Sequence, residues 1–316
     1  MKLIIQIPCY NEANMLEETV AALPRAVDGF DDVEYLVIDD GSEDATAEVA
    51  RAAGVDHIVS HKKNLGLARA FETGLRSCIE YGADVIANTD ADNQYCAEDI
   101  PKLAQPILAG KADIVIGERP IESIEHFSPL KKFLQFLGSW VVRWVSNTEI
   151  QDAPSGFRAY SREAAMRLRV FGDYTYTLET IIQAGHVRIP MESVPVRVNG
   201  PTRRSRLVKS IPSYVLKSIH TIFRIFVTYK PLRFFALLAL VCATPGVLLG
   251  LRFVAFYLLG DDEGHIQSLI LAAILLISGC VLLIAGVLAD LIAVNRNLLE
   301  RNQWRISKLE SAARER

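Results

Sequence analysis

Along the first 120 residues, short apolar runs alternate with segments whose apolar positions recur at helical spacing. The runs are KLIIQIP, EYLVID, DHIVS, DVIANT and DIVIG, all rich in β-branched residues, and 12–22, 44–53, 67–81 and 98–108 read as the helices between them. Strands alternating with helices in this way predict an α/β fold, a mostly parallel sheet covered on both faces. Ligands of such sheets bind beyond the carboxyl ends of the strands. That rule singles out Cys9-Tyr10-Asn11-Glu12, Asp39-Asp40-Gly41-Ser42, Asp90-Ala91-Asp92 and Glu118-Arg119.

Further on the pattern changes. Residues 234–251 carry no charged side chain, Arg252 interrupts, and an apolar stretch continues to Gly260; a second uncharged run covers 268–289. Runs of about 20 residues match a hydrocarbon core about 30 Å thick, so both read as membrane spans. Soluble core helices rarely lack a polar face over that length. Pro245 and Gly246 are tolerable in a membrane helix and awkward in a soluble one. Arg203, Arg204, Arg206, Lys209, Lys217, Arg224, Lys230 and Arg233 precede the first span; Arg296, Arg301, Arg305 and Lys308 follow the second. The connection between them holds Asp261, Asp262, Glu263 and His265. Positive-inside reasoning puts both termini and the leading domain in the cytoplasm of a multi-pass protein of the cell membrane. The apolar stretch 3–8 is too short for a signal peptide and reads as strand.

Two more segments are amphipathic. In 130–145, Leu130, Phe133, Leu134, Leu137, Trp140, Val141, Trp144 and Val145 make one face, and Lys132, Gln135, Ser139, Arg143 and Ser146 the other. In 211–229, Ile211, Val215, Ile219, Ile222, Phe223 and Phe226 oppose Lys217, Thr221, Arg224 and Thr228. Both suit packing on the sheet, and both suit the headgroup plane of a bilayer. The tail after Ala289 reads as a polar helix.

Half of the 316 residues are hydrophobic and 22% are charged, which excludes disordered and collagen-like chains. A net charge of −3 gives no global pull towards nucleic acid. Cys9, Cys78, Cys96, Cys242 and Cys280 form no CxxC pair, so reduced structural thiols are expected. GxGxxG is absent after the first strand and GxxxxGK[ST] is absent throughout, which speaks against nicotinamide and P-loop chemistry. Asp90-Ala91-Asp92 can hold a hard divalent cation that in turn needs an anionic ligand such as a diphosphate, and Gln94 adds a neutral oxygen. An Asp-rich turn capping the next helix is the structural alternative.

The motifs PCYNE, DDGSEDAT, NLGLARA, DADNQ and DAPSGFRAYSREA stand in this order over about the first 200 residues. Together they resemble the family 2 glycosyltransferases of GT-A, Rossmann-like fold. The arginine-rich loop and the two spans make the chain similar to the polyprenyl-phosphate branch, which includes dolichyl-phosphate mannose synthases. The resemblance implies that Pro8, Tyr10, Asn11 and Glu12 line the nucleotide pocket and that Asp40 contacts the nucleoside. Asp90 and Ala91 would face ribose or diphosphate, and Asp92 and Gln94 would hold Mg²⁺ or Mn²⁺. Arg119, Arg203, Arg204 and Arg206 would serve donor and acceptor phosphates. Asp152 would orient either a sugar hydroxyl or a phosphate-binding arginine; Arg158 follows it in the motif. Glu179 matches an acidic family position, or is a helix-surface carboxylate. Asn93, Glu118 and GPTRRSR depart from the family's usual residues.

The expected protein is a hexosyltransferase with a catalytic domain over 1–210 and an interfacial helix over 211–230. Two spans would follow over 231–295, with a cytoplasmic tail over 296–316. It would move one sugar from a UDP- or GDP-sugar to polyprenyl phosphate with inversion. A processive polysaccharide synthase is the first rival, although Trp140 stands where a QxxRW element would carry glutamine. An inactive, transferase-like membrane scaffold is the second. Small residues in the spans leave a homo-oligomer open.

Overall fold

The computed structural model describes residues 1–120, 129–170, 176–199, 223–224, 227–259 and 266–314. The chain divides into two units, Met1–Ile219 with Asn302–Arg316, and His220–Arg301. The first contains strands β1 (Lys2–Cys9), β2 (Asp32–Asp39), β3 (His57–Ser60), β4 (Val85–Asn88), β5 (Ile114–Glu118), β6 (Arg158–Ser161) and β7 (Met191–Pro195). Its helices are α1 (Ala13–Ala22), α2 (Thr46–Ala52), α3 (Leu67–Glu80), α4 (Ile100–Leu108), α5 (Pro129–Ser146), α6 (Arg162–Arg167) and α7 (Thr177–Val187). One sheet takes the order β3-β2-β1-β4-β6-β5-β7. All strands run the same way except β6, which is antiparallel to both β4 and β5. The mostly parallel sheet is present, with β6 and β7 added. Those two, RAYS and MESVP, are short and polar, so no apolar run announced them.

The core explains why β1 reads as an unbroken run. From Leu3 to Cys9 every residue is buried, because helices cover both faces. Leu3, Ile5 and Ile7 pack with Leu16, Val20 and Val37, each such side chain contributing about 1.5–3 kcal/mol of transfer free energy. Gln6 faces the other way, and its Nε2 donates to Asn88 Oδ1 on β4 at 2.8 Å.

Beyond β7, Arg197 is tied to a 3₁₀ turn at Ala97–Asp99. The buried Asp99 carboxylate accepts the Arg197 main-chain N–H at 2.7 Å, its Nη2 at 2.8 Å and Lys102 Nζ at 2.8 Å. Burial alone would raise this carboxyl, but the hydrogen bonds from Arg197 and Lys102 hold it down at about 2.

Helix α5 lies close to the expected 130–145, but its faces divide differently. Ser139, Val141, Val142, Val145 and Ser146 are buried, whereas Phe136, Trp140 and Trp144 are exposed. The buried face meets α7, where a Cβ on Gly185 would come within 2.2 Å of the Ser146 carbonyl oxygen, a close approach that admits small side chains at that point.

The second unit holds α8 (Pro231–Leu258) and the start of α9 (Ile266–Arg314). Pro231–Leu258 and Ile266–Arg296 are each long and apolar enough to cross a membrane. The expected span and tail form one continuous helix. The expected helix over 211–229 falls almost wholly outside the described residues, as does the acidic connection. The two spans pack through small residues: a Cβ on Gly286 would meet Phe235 at 2.8 Å, and one on Gly279 would meet the Ala239 oxygen at 3.2 Å. Outward-facing residues such as Leu237, Leu240, Ile277 and Ile284 are exposed, as lipid-facing positions are. The small residues are thus used inside the chain.

Two outcomes follow. Asp99→Asn lowers the thermal midpoint of the detergent-solubilised protein at pH 7. Because the folded pKa of Asp99 is depressed, its contribution is full above the unfolded value near 3.9 and is lost as pH falls through about 2. The gap between wild type and variant therefore closes across that window, as measured by circular dichroism. Gly286→Leu forces the spans apart, which lowers disulfide cross-linking between cysteines placed on their facing positions.

Candidate active site

Since β1, β2, β4 and β5 run the same way, their carboxyl ends share one edge of the sheet. Strand β6 runs oppositely, so the loop that enters it, Asp152–Phe157, arrives at that edge too. At one side of the edge, PCYNE and DDGSEDAT are laced together. Asn11 N–H donates to Ser42 Oγ at 3.0 Å and Asn11 Oδ1 accepts Glu43 N–H at 2.8 Å. Glu12 N–H donates to Thr46 Oγ1 at 2.9 Å. Asn11 has φ = 55°, a left-handed conformation that asparagine adopts more readily than most residues. Pro8 and Glu12 are buried, while Tyr10 is exposed.

Asp40 is engaged internally. Its Oδ1 meets His61 Nδ1 at 2.7 Å and Leu65 N–H at 2.9 Å, and its Oδ2 accepts Gly66 N–H at 2.8 Å. His61 Nε2 in turn lies 3.0 Å from Thr73 Oγ1. Asp40 thus shapes the NLGLARA loop that opens α3.

The Asp90–Gln94 turn is fixed from three directions. Thr19 Oγ1 on α1 donates to the carbonyl of the buried Ala91 at 2.9 Å. Asn199 N–H donates to the Gln94 carbonyl at 2.8 Å, and its Nδ2 to the Asn93 carbonyl at 2.9 Å. Tyr95 Oη accepts Gly156 N–H at 3.1 Å. Asn93 has φ = 52°, which explains an asparagine in place of an apolar residue. Asp92 Oδ1 accepts Gln94 N–H at 3.2 Å. Asp90 lies against Gly156, where a Cβ would come within 3.3 Å of both carboxylate oxygens.

The loop before β6 brings the second charge centre. Arg119, just past β5, grips the fully buried Asp152 in bidentate fashion: Nε to Oδ2 at 2.7 Å and Nη2 to Oδ1 at 2.9 Å. Arg119 N–H adds a third contact at 3.2 Å. Burial alone would lower the guanidinium pKa, but Tyr95, Asp152 and Asp90 raise it, so Arg119 is a permanent cation. Of the five guanidinium N–H donors, two go to Asp152. Beneath the loop, the fully buried Arg158 donates to the carbonyls of Ser155 and Ala153, both at 2.7 Å, and to Thr180 Oγ1 at 2.9 Å. Asn88 Nδ2 donates to the Gly156 carbonyl at 2.8 Å and to Tyr176 Oη at 2.9 Å. Tyr176 stacks on Phe71, ring centroids 3.8 Å apart.

The structure therefore brings Asp90, Arg119 and Asp152 together around Tyr95, whose hydroxyl pKa is raised by burial and responds to all three charges. Glu179 is half-buried in the first turn of α7. Arg203, Arg204 and Arg206 lie outside the described residues. Asn88, Tyr95, Gly156 and Tyr176 were not singled out from sequence; Tyr176 meets Asn88 from 88 residues away. A cavity of about 740 Å³ borders Glu118 and Gln151, the residues preceding Arg119 and Asp152. Among the described residues, no group of three or more His, Cys, Asp or Glu could enclose a metal ion. Asp90, Asp92 and Gln94 offer two carboxylates and an amide. That set fits a hard cation completing its sphere with phosphate and water.

Arg119→Met leaves Asp152 buried and unpaired, and should cost about 3–5 kcal/mol in chemical denaturation. Arg119→Met with Asp152→Leu should recover most of that loss, since the uncompensated charge is gone.

The sequence matches the family described as Glycosyl transferase family 2 over residues 4–169. A UDP-N-acetylglucosamine--dolichyl-phosphate N-acetylglucosaminyltransferase of Methanococcus voltae is 29% identical over 216 residues, covering 60% of this chain and 83% of the relative. A dodecaprenyl-phosphate galacturonate synthase of Rhizobium johnstonii is 24% identical over 313 residues, covering 93% of this chain and 88% of the relative. Among solved structures, glucosyl-3-phosphoglycerate synthase from Mycobacterium tuberculosis with Mn²⁺ and UDP-glucose matches with a TM-score of 0.56. It is 19% identical and covers 72% of this chain and 79% of its own, a likeness of fold. With more than half of its length matched and the sheet and edge motifs in place, the chain belongs to glycosyl transferase family 2, with a GT-A fold.

Proposed function

We propose that the protein is a membrane-anchored, inverting glycosyltransferase. It moves one sugar from a UDP- or GDP-sugar to polyprenyl phosphate and leaves a polyprenyl-phospho-sugar. The reading rests above all on the Arg119–Asp152 ion pair meeting the Asp90–Gln94 turn at one sheet edge. The relatives' names support a polyprenyl-type lipid phosphate as acceptor, and the two bilayer-length helices support a lipid substrate.

In this reading the laced loops after β1 and β2 receive the nucleoside, with Tyr10 exposed for contact with it. Asp90, Asp92 and Gln94 would hold Mg²⁺ or Mn²⁺, which neutralises charge on the departing nucleoside diphosphate. Arg119, fixed by Asp152, offers its remaining N–H groups to a phosphate. Both Asp152 oxygens already face Arg119, so its role is to position that cation. No general base is required, because a lipid phosphate is ionised at neutral pH. Arg203, Arg204 and Arg206 would add positive charge over the acceptor phosphate. One direct displacement at C1 inverts the anomeric centre. The flanking cations support a cytoplasmic side for the catalytic domain and both termini.

The test is a panel of UDP- and GDP-sugars incubated with polyprenyl phosphate and Mg²⁺ or Mn²⁺. One donor should release nucleoside diphosphate and yield a lipid phosphate bearing a single sugar; a polymer, or no release from any donor, refutes the reading. Asp92→Ala should lower turnover about 100-fold or more with an unchanged melting temperature. Unaltered turnover sinks the metal assignment.

A further inference from the structure

Beyond β7 the chain stays with the sheet edge for four more residues. Residues 196–199 lie antiparallel beside 94–96: Cys96 N–H donates to the Arg197 carbonyl at 3.2 Å, Val198 bridges Tyr95, and Asn199 N–H donates to the Gln94 carbonyl at 2.8 Å. The Asn199 side chain carries this ladder one residue further. Its Nδ2 donates to the Asn93 carbonyl at 2.9 Å, with the Tyr95 carbonyl at 3.3 Å as a second acceptor. Asn93 is also held from α1, since its own Nδ2 donates to Glu18 Oε1 at 3.1 Å.

We infer that Asn199 is a positioning residue for the divalent cation proposed above for Asp92 and Gln94; the inference rests on that proposal. Asn199 acts through the backbone of the turn. Asn93 stands at φ = 52°, a left-handed conformation that an L-residue leaves readily unless its neighbours hold it. In that conformation Gln94 N–H reaches back to Asp92 Oδ1 at 3.2 Å, so the carboxylate is oriented by the same backbone that Asn199 holds. Groups that orient metal ligands in this way typically change metal affinity about 10–100-fold when removed. The Glu18 contact and the left-handed turn both call on an asparagine at 93, the position that departs from the family's apolar residue. Support of the fold is a separate task, done two residues earlier. Asn199 is exposed, whereas Arg197 carries the ladder's anchor to the buried Asp99.

The test titrates the full-length protein in detergent with Mn²⁺ alone, and with Mn²⁺ plus UDP or GDP, reading free Mn²⁺ from its paramagnetic resonance signal. Asn199→Ala should weaken Mn²⁺ binding about 10-fold or more with little change in melting temperature. Asn199→Asp, of the same shape but without the side-chain N–H donors, should do the same and serves if the alanine variant does not fold. Arg197→Met unpairs the buried Asp99, so it should lower the melting temperature further while leaving Mn²⁺ affinity unchanged. Hydrogen exchange of the amides of 91–96 should quicken in the Asn199 variants without metal, and that of β1 and β2 should not. Unchanged Mn²⁺ affinity or unchanged exchange in those variants overturns the inference and leaves the metal proposal standing. An equal loss of affinity in Arg197→Met overturns it too, because the whole ladder would then be a support and no more. Mn²⁺ retained by Asp92→Ala, or bound by none of the proteins, removes the metal proposal and the inference with it.

Discussion

Arg158 is a fully buried cation whose guanidinium is spent on two carbonyls of its own loop and one threonine hydroxyl. An arginine in that position costs several kcal/mol to desolvate unless its donors are satisfied. Here they hold the Ala153–Ser155 backbone down against α7. Everything at the centre of the edge inherits its position from that loop. Asp152 reaches Arg119 because the next residue is held, and Gly156 offers its bare α-carbon to Asp90 because Asn88 fixes its carbonyl. The reversed strand β6 makes this possible, since only an opposed strand starts at the edge where the others end.

Much of this architecture is visible in the residues alone, and the boundary has physical causes. Strands buried on both faces, such as β1 and β2, need apolar residues at every position and so declare themselves. Strands β6 and β7 are short, and β7 carries glutamate and serine; neighbouring strands supply their stability and composition does not. Asp90, Asp92, Arg119 and Asp152 could be named from motifs, and an arginine was one of two partners expected for Asp152, but which arginine it holds could not be read. The bond joins residues 33 apart through a strand reversal that no periodicity records.

Two other readings from sequence met a similar boundary. Asp40 was named for a nucleoside contact, and the structure adds a role that the motif does not record: its oxygens bind the backbone of Leu65 and Gly66. A motif marks a position as important without distinguishing touching a ligand from shaping the loop that does. For α5, apolar spacing identified the helix and misassigned its faces. At Gly185 the clearance to α5 is narrow, since a Cβ there would meet the Ser146 backbone. Steric clearance between helices has no signature in hydropathy.

The paired spans carry a last consequence. At about 1.5 Å per residue, helices of 28 and 31 residues reach about 42 and 46 Å, against a hydrocarbon core of about 30 Å. Such excess length is relieved by tilt or by local thickening of the lipid. Contacts at Gly246, Gly279 and Gly286 lock the two helices together, so they tilt as one body. The anchor is then a gauge of membrane thickness: it sits more upright in thick bilayers than in thin ones, and a cell with both could sort the protein by that difference alone.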